Sequence, residues 1–240
     1  MRPRRKIFQT PGPDYIPIDK NILSCNYTTD RSAANMEQFR LRIFYLKKRI
    51  IFPYCSLVVF VRPTEDTRAI RTGDRVLTYT VRSTIDVLWY RNRTATLSEV
   101  TDVQTDEKSV KIFLKGLSRV SLRRIIKYKL AEFEHLAPVA VDARDSMRDE
   151  LRKKAQELVF LINVEESDKL IKLLGYIADL EQMTDFISNY FVMDFRTRYR
   201  LYSQADIQIR GEMLGGTLDA LIRTMTKKRK KLDHEKNSNR

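Results

Sequence analysis

The segment VKIFLKGLSRVSL, residues 110–122, carries the clearest secondary-structure signal in the first half of this 240-residue chain. Apolar and basic side chains alternate at its start, with Val110, Ile112 and Leu114 interleaved by Lys111 and Lys115. That alternation is typical of a half-buried strand. Gly116 follows, and a glycine inside a strand pattern indicates a bend or bulge where a Cβ would clash.

Other apolar segments of strand length lie on both sides, with no helical spacers between them. They are Arg42–Leu46, Leu57–Val61, Arg75–Val81, Asp86–Tyr90, Ala95–Val103, Val110–Leu114, Val120–Lys127 and Lys129–Leu136. Residues 104–109 are typical of a hairpin loop. Eight short strands in succession predict an antiparallel, barrel-like sheet.

The apolar period changes after Pro138. A helical stripe runs along Met147, Leu151, Ala155, Leu158 and Ile162. Further helices are predicted from Ser167, over Leu180–Phe191, over Arg196–Tyr202, and from Ile207 to about Lys230. Strands followed by helices predict an α+β protein in two segregated halves, the second a helical bundle that ends in a long helix.

These patterns divide the chain into four parts. Residues 1–38 are rich in proline and turn formers and are expected to be a flexible extension. Residues 39–141 form the β-rich half and residues 142–222 the helical half. Residues 223–240 are expected to be a basic tail that continues the last helix.

The formal net charge of +14 is concentrated in the two ends of the chain. Residues 1–12 carry four basic and no acidic side chains, and residues 223–240 carry eight basic against two acidic ones. Such runs attract phosphate or acidic surfaces, but they are also common at the solvated ends of helices. Candidate anion or nucleic-acid contacts are Lys227, Lys228, Arg229, Lys230 and Lys231.

No pattern for catalysis, for a metal or for a cofactor is found. His135 and His234 lie outside the frames that zinc enzymes use, and two cysteines are too few for a disulfide framework. Residues 211–217 resemble a phosphate loop superficially but lack its lysine and its preceding strand. Their glycines instead predict a close helix crossing. We therefore predict a non-catalytic protein with no cofactor.

The apolar runs, such as Leu57–Val61, are far shorter than the roughly 20 residues that a membrane span needs. The basic N-terminal segment has no apolar stretch behind it, so no secretory signal is visible. We expect a cytoplasmic protein with no membrane partner.

Several of these segments are similar to the N-terminal substrate-binding domain of Lon proteases. Residues 42–46, 50–54 and 57–61 resemble its opening, including a V/I-x-F/Y-P element that ends at Pro53. Val110, Ile112, Gly116 and Arg119 match its central signature, V-x-V-x-x-x-G-x-x-R. The resemblance covers residues 39–222 and implies a PUA-like pseudo-barrel followed by a helical bundle. Pro53, Gly116 and Arg119 are then structural, and Arg119 is expected to tie the bend at Gly116 by charge-assisted hydrogen bonds.

The chain also departs from the family pattern. Full-length Lon continues into an ATPase and a Ser–Lys protease domain, which these 240 residues do not contain, so we expect a stand-alone form. The family's helix between the second and third strands is shortened or lost in residues 62–72. The glycine usually found ahead of the fourth strand is replaced around Asn92 and Arg93.

The resemblance implies binding of unfolded or partner polypeptides, with a role as an adaptor to an ATP-dependent protease as a further hypothesis. Contact is expected where barrel meets bundle, through bulky side chains at element ends: Phe52, Trp89, Tyr90, Phe195 and Tyr199. The alternative is a nucleic-acid-binding protein that uses a barrel platform and the basic tails. In residues 195–202 a helix would favour an aromatic seam, whereas a strand would line arginines along one face.

Overall fold

The structure, a computed structural model, describes residues 40–83, 92–127, 129–136, 144–162 and 167–238, with side chains described up to Lys231. Its strands are β1 (Arg40–Lys47), β2 (Ser56–Val61), β3 (Arg75–Val81), β4 (Thr94–Thr105), β5 (Val110–Ile126) and β6 (Leu130–His135). Its helices are α1 (Glu65–Arg68), α2 (Arg144–Ile162), α3 (Ser167–Tyr176), α4 (Leu180–Tyr190), α5 (Phe195–Ser203) and α6 (Ile207–Ser238). Strands precede the helical half, so the predicted α+β class is confirmed.

The strands form a sheet that closes on itself. Their order is β2-β5-β4-β3-β1-β6, and β6 pairs with β5 as well, so β5, β4, β3, β1 and β6 complete a ring. The second strand lies outside this ring, against the first half of β5. The sheet is mixed rather than wholly antiparallel as predicted, because β1 and β3 run parallel. The chain between them contains β2 and α1, and this long connection allows the parallel pairing.

The long strand β5 joins two segments that the sequence predicted as separate strands. Its first half pairs with β2 and β4, and its second half pairs with β4 and β6. Register shifts in both of its long pairings supply the curvature that closes the barrel. The predicted strand Asp86–Tyr90 lies outside the described residues, as do residues 1–38 and the predicted boundary between the two halves at residue 141.

The single turn α1 stands where the sequence predicts a shortened family helix. A capping box holds it: Thr64 Oγ1 accepts from the Thr67 N–H at 3.2 Å, and the Thr64 N–H donates to Thr67 Oγ1 at 2.8 Å. With four residues, α1 is a brief connection between β2 and β3 and covers little of the barrel.

Helices α2 and α6 lie side by side and run in the same direction. A Cβ at Gly211 would be 2.3 Å from the Met147 sulfur, so this position admits only glycine without a shift. Further along, Lys154 Nζ donates to Asp219 Oδ2 at 2.9 Å. The close helix contact predicted from the glycines of residues 211–217 exists at Gly211 and Gly215, whereas Gly216 has no atom within 4 Å of its Cβ position. Among the described residues no helix is both long and apolar enough to cross a membrane.

Candidate functional site

The barrel meets the bundle at a buried apolar group that we call the junction cluster: Ile50, Phe52, Cys55 and Tyr202. Phe52 has 0% of its surface exposed and meets the Tyr202 ring edge to face, with ring centroids 5.8 Å apart. The close approach of β5 to this segment requires Gly116, because a Cβ there would lie 2.3 Å from the Phe52 carbonyl oxygen. Two of the family-motif positions, Pro53 and Gly116, therefore shape the entrance to β2.

Arg119 connects the barrel to the bundle. Its guanidinium donates to both carboxylate oxygens of Asp185 on α4, at 2.7 and 2.5 Å, and its Nε donates to the Tyr202 carbonyl oxygen at 3.1 Å. It also lies over the rings of Phe52 and Tyr202. The predicted charge-assisted bonds thus exist, but they reach a helix 66 residues away in sequence instead of tying the local bend.

Asp185 also faces a second buried arginine. The Arg210 side chain is 2% exposed, its Nε lies 4.0 Å from Asp185 Oδ1, and its Nη1 donates to the Gln204 carbonyl oxygen at 2.7 Å. Burial, with the charge of Arg119 as a second cause, lowers the pKa of Arg210 to about 10. The carboxylate is held between two guanidinium groups, which is a structural arrangement.

Cys55 has no nucleophilic character in this setting. Burial raises the pKa of its thiol far above the usual range, and the charge of Asp185 acts in the same direction. Since the thiolate is the reactive form, this thiol stays inert in the folded protein. Within the part of the chain that the structure describes, no group of three or more His, Cys, Asp and Glu side chains is placed to hold a metal ion.

The structure brings three of the five predicted polypeptide contacts to the junction. Phe52 is buried, so it has no surface with which to touch a ligand, because the segment before β2 turns into the protein instead of ending at its surface. Phe195 and Tyr199 lie half-buried against the cluster on α5, which confirms the helical reading of residues 195–202. Trp89 and Tyr90 lie outside the described residues.

Asn92 holds Tyr199 in place at this junction. Its side-chain Nδ2 donates to the Tyr199 hydroxyl at 3.1 Å and to Ser203 Oγ at 2.7 Å. Its backbone carbonyl oxygen accepts from the Tyr79 hydroxyl at 2.7 Å. Arg82 lies over the Tyr199 ring, 5.5 Å from its centroid. Asn92, whose side chain also accepts from the Thr94 N–H at 2.9 Å, therefore links β3, β4 and α5.

Large exposed apolar side chains occur away from the predicted contacts. Among the described residues they are Phe60, Leu130, Phe160, Ile162, Tyr176, Met193 and Ile209. Phe60 is 63% exposed on the outer side of β2. It stands beside half-buried Val58 and near Phe113, which is directly opposite Val58 in the β2–β5 register. We call these three residues the β2 face. Sequence reasoning missed it because LVVFV is apolar throughout and has no alternation to show which side is outward.

The predicted anion contacts, residues 227–231, are all exposed on α6. Because α2 and α6 are parallel, the C-terminal end of α2 lies beside the middle of α6. Residues 227–231 therefore lie on the C-terminal part of α6, past the end of α2. Helical spacing places Arg223, Lys227, Lys230 and Lys231 on one face. This face is a continuous basic stripe.

The comparisons with known proteins agree with this architecture. The family model described as the ATP-dependent protease La (LON) substrate-binding domain matches residues 40–220. The N-terminal domain of the Mycobacterium avium complex Lon protease is similar with a TM-score of 0.59 and 13% identity, over 75% of this chain and 98% of that one. A Lon N-terminal domain protein from Xanthomonas campestris is similar with a TM-score of 0.52 and 14% identity, over 73% and 96% of the two chains. No curated protein sequence matches the chain. The family model covers the barrel and most of the bundle, and the chain therefore belongs to the Lon substrate-binding domain family.

Proposed function

We propose that this protein binds polypeptides that expose apolar side chains, such as unfolded chains. The observation that carries the proposal is the match of residues 40–220 to a non-catalytic substrate-binding domain. A folded protein buries most such side chains, whereas an unfolded chain presents them to any complementary surface. The predicted contacts Phe195, Tyr199, Trp89 and Tyr90 remain part of this proposal.

The exposed side chains of the described residues support it. Phe60, Phe160, Tyr176 and Met193 are each more than 60% exposed and spread over barrel and bundle. Contact with an apolar segment removes such side chains from water, which is favourable by about 25 cal/mol for each Å² buried. Binding of this kind depends weakly on salt, because it needs no ion pair.

The test uses reduced, carboxymethylated α-lactalbumin, a polypeptide that stays unfolded in buffer, labelled with a fluorophore. We expect it to bind, and we expect its affinity to change less than about threefold between about 50 and 200 mM salt, because apolar contacts release few counterions. Native, disulfide-intact α-lactalbumin is the control and should not bind. If circular dichroism shows folded protein and neither form binds, the proposal is wrong.

We extend the proposal to delivery of the bound polypeptide to a separate ATP-dependent protease in the cytoplasm. Family membership supports this step, since the domain takes its name from such a protease. Co-purification of an ATP-dependent protease with the tagged protein from its own cells is the expected result. Failure to recover one at endogenous levels would count against the adaptor role without affecting polypeptide binding.

The alternative function, nucleic-acid binding, is supported by the basic stripe on α6. Residues 227–231 are exposed and all basic, so they attract the negative charge of a phosphate backbone. The expected signature is strong salt dependence: about a 10³-fold loss of affinity from about 50 to 200 mM salt if six phosphates are contacted.

A combined variant separates the two functions. Replacement of Arg223, Lys227, Lys228, Arg229, Lys230 and Lys231 by Gln removes the stripe and its basic neighbours. It should abolish binding of a labelled single-stranded oligonucleotide if the stripe binds nucleic acid. The same variant should bind the unfolded polypeptide as well as the unchanged protein does. Oligonucleotide binding that survives these replacements would exclude the stripe as the site.

A further inference from the structure

Strand β2 has one paired edge and one open edge. Among the described residues it pairs with β5 alone, from Ser56 opposite Lys115 to Val61 opposite Val110. The other five strands each have two neighbours in the closed ring. An open edge of this kind presents unpaired backbone N–H and C=O groups and is a template for another strand.

The hydrogen bonds next to β2 identify the groups that point outward. Tyr54 N–H donates to the Gly116 carbonyl at 2.8 Å, and Gly116 N–H donates to the Cys55 carbonyl at 2.9 Å, so Gly116 faces β2. The N–H and C=O groups of successive residues point to opposite edges of a strand. Residues 114, 112 and 110 therefore also point toward β2, where they form hydrogen-bonded pairs with residues 57, 59 and 61. Residues 56, 58 and 60 must then point away from β5.

Two side-chain contacts agree with this assignment. Arg49 Nη1 donates to the Val58 carbonyl oxygen at 3.3 Å, so that carbonyl is turned toward the open edge. Thr101 Oγ1 of β4 donates to the Phe113 carbonyl oxygen at 3.3 Å, so Phe113 faces β4 and leaves Val58 unbonded from β5. Ser56, Val58 and Phe60 therefore direct their N–H and C=O groups outward. The Val58 carbonyl oxygen already accepts from Arg49, so an added strand shares that oxygen with Arg49 or displaces the guanidinium.

The side chains around the open edge of β2 determine which kind of peptide segment can pair with it. The strand SLVVFV has no charged residue, and its outward side chains, Val58 and Phe60, are apolar. Basic residues lie at both of its ends. Exposed Arg49 contacts the Val58 carbonyl oxygen and exposed Arg62 follows the strand directly, while Lys115 and Lys111 of β5 stand opposite Ser56 and Phe60. An extended segment with alternating apolar side chains and acidic residues at its ends complements both properties.

We propose that β2 binds such a segment by strand addition, with backbone hydrogen bonds to Ser56, Val58 and Phe60 and side-chain contacts to the β2 face. The proposal rests on the proposed function and specifies how the polypeptide is held. Backbone pairing accepts many sequences, because every residue except proline offers the same N–H and C=O groups. The exposed basic residues at both ends add a modest preference for segments with acidic ends, which salt screens.

The probe is a fluorescein-labelled peptide of about ten residues, alternating valine and threonine with aspartates at both ends, followed by anisotropy. Val58→Pro removes an outward N–H and leaves the β5 side of the strand paired. Phe60→Glu replaces the apolar contact with a charge that repels the aspartates. We expect each change to weaken binding by at least about tenfold. Ile209→Glu is the control, since Ile209 is 45% exposed on α6, and it should change affinity less than about twofold.

Two N-methylated forms of the peptide test the pairing without altering the protein. One carries methyl groups on the odd backbone nitrogens and the other on the even ones, and only the set that faces β2 should abolish binding. Equal binding by both forms and the parent would overturn strand addition, and so would equal losses for Phe60→Glu and Ile209→Glu. If the peptide fails to bind while unfolded α-lactalbumin binds, the proposed function stands and this inference is wrong.

A second copy of the chain is the other occupant to exclude. Light scattering after gel filtration should give the same mass for the unchanged protein and for Val58→Pro. A dimer that Val58→Pro converts to a monomer would show that β2 pairs with itself, and would also overturn the proposal.

Discussion

The junction cluster and the β2 face are both rich in aromatic and aliphatic side chains, yet they differ in nearly every physical respect. At the junction, Phe52 is fully buried and the neighbouring charges of Arg119 and Asp185 are paired. On the β2 face, Phe60 is 63% exposed, and the backbone beside it is open. The family-motif residues Pro53, Gly116 and Arg119 all belong to the junction.

The motif residues Pro53, Gly116 and Arg119 are all buried, and Arg119 ties the barrel to α4, so the shared motif has a structural role in the fold. A buried bidentate ion pair tolerates little change in either partner, since removal of one leaves the other unpaired. A strand edge that acts through its backbone places few demands on side-chain identity. The residues that match the family motif therefore mark the structural part of the molecule. We expect the residues of the binding surface to match no comparable motif.

The largest difference in stability is expected between replacement of Phe52 at the junction and replacement of Phe60 on the β2 face. Phe52→Ala should lower the free energy of unfolding by about 3–5 kcal/mol, because it leaves a cavity among Tyr202, Cys55 and Arg119. Phe60→Ala should change it by less than about 0.5 kcal/mol, because that side chain is mostly in water already. Urea unfolding followed by circular dichroism measures both. Equal losses would show that the β2 face is part of the core and would contradict the comparison.

The second difference lies between two arginines of β5. Arg119→Met should cost about 3–5 kcal/mol, since Asp185 then stays buried without its main partner. Arg123→Met removes only an exposed pair with Glu134 and should cost about 1 kcal/mol at most. The same urea titration compares them. The double variant Arg119→Met with Asp185→Leu should be more stable than Arg119→Met alone, because Asp185 no longer stays buried without a partner. If the double variant is no more stable, the broken ion pair is not the cause of the lost stability.

The smallest changes in stability are expected from alanine at two glycine positions, Gly116 in β5 and Gly216 in α6. Gly116→Ala should destabilise by about 1–3 kcal/mol, because the added Cβ meets the Phe52 carbonyl oxygen, a backbone atom that cannot turn aside. Gly216→Ala, on an exposed position of α6 with no atom within 4 Å, should stabilise by up to about 1 kcal/mol through helix propensity. Thermal unfolding of the two variants should therefore shift in opposite directions.

The helical half could be predicted closely from the sequence. Its helices bury stripes of apolar side chains, so the apolar period alone indicates where they run. The predicted stripe from Met147 to Leu158 packs into the core from α2, whereas Ile162 at its end is 43% exposed. The short helix expected over 196–202 is α5. Most strands were also predicted, for the same reason. The sequence predicts two strands on either side of a bend at Gly116. The structure has a register shift at that point, between Leu97 opposite Ser118 and Ser98 opposite Gly116, but β5 continues through it as one strand. The missing Cβ of Gly116 also allows contact with the neighbouring segment.

The candidate site could be predicted only in part, because its contacts are long-range. The partner of Arg119 is 66 residues away, and local spacing carries no information about it. Phe52 was expected at a surface because it ends an apolar segment, but the turn at Pro53 directs it inward. The outward position of Phe60 follows from its register with β5, which a uniformly apolar run does not reveal.

The ring of strands also determines when the barrel can form as the chain leaves the ribosome. Strand β1 closes the ring against β6, where Arg40 pairs with Glu132, 92 residues later. Until that segment has emerged, β1 has no partner on one side, and the earliest described strand waits with an exposed edge. Translation speed and chaperone protection across this interval are therefore expected to govern the yield of folded protein more than the rapid, local formation of the helices that follow.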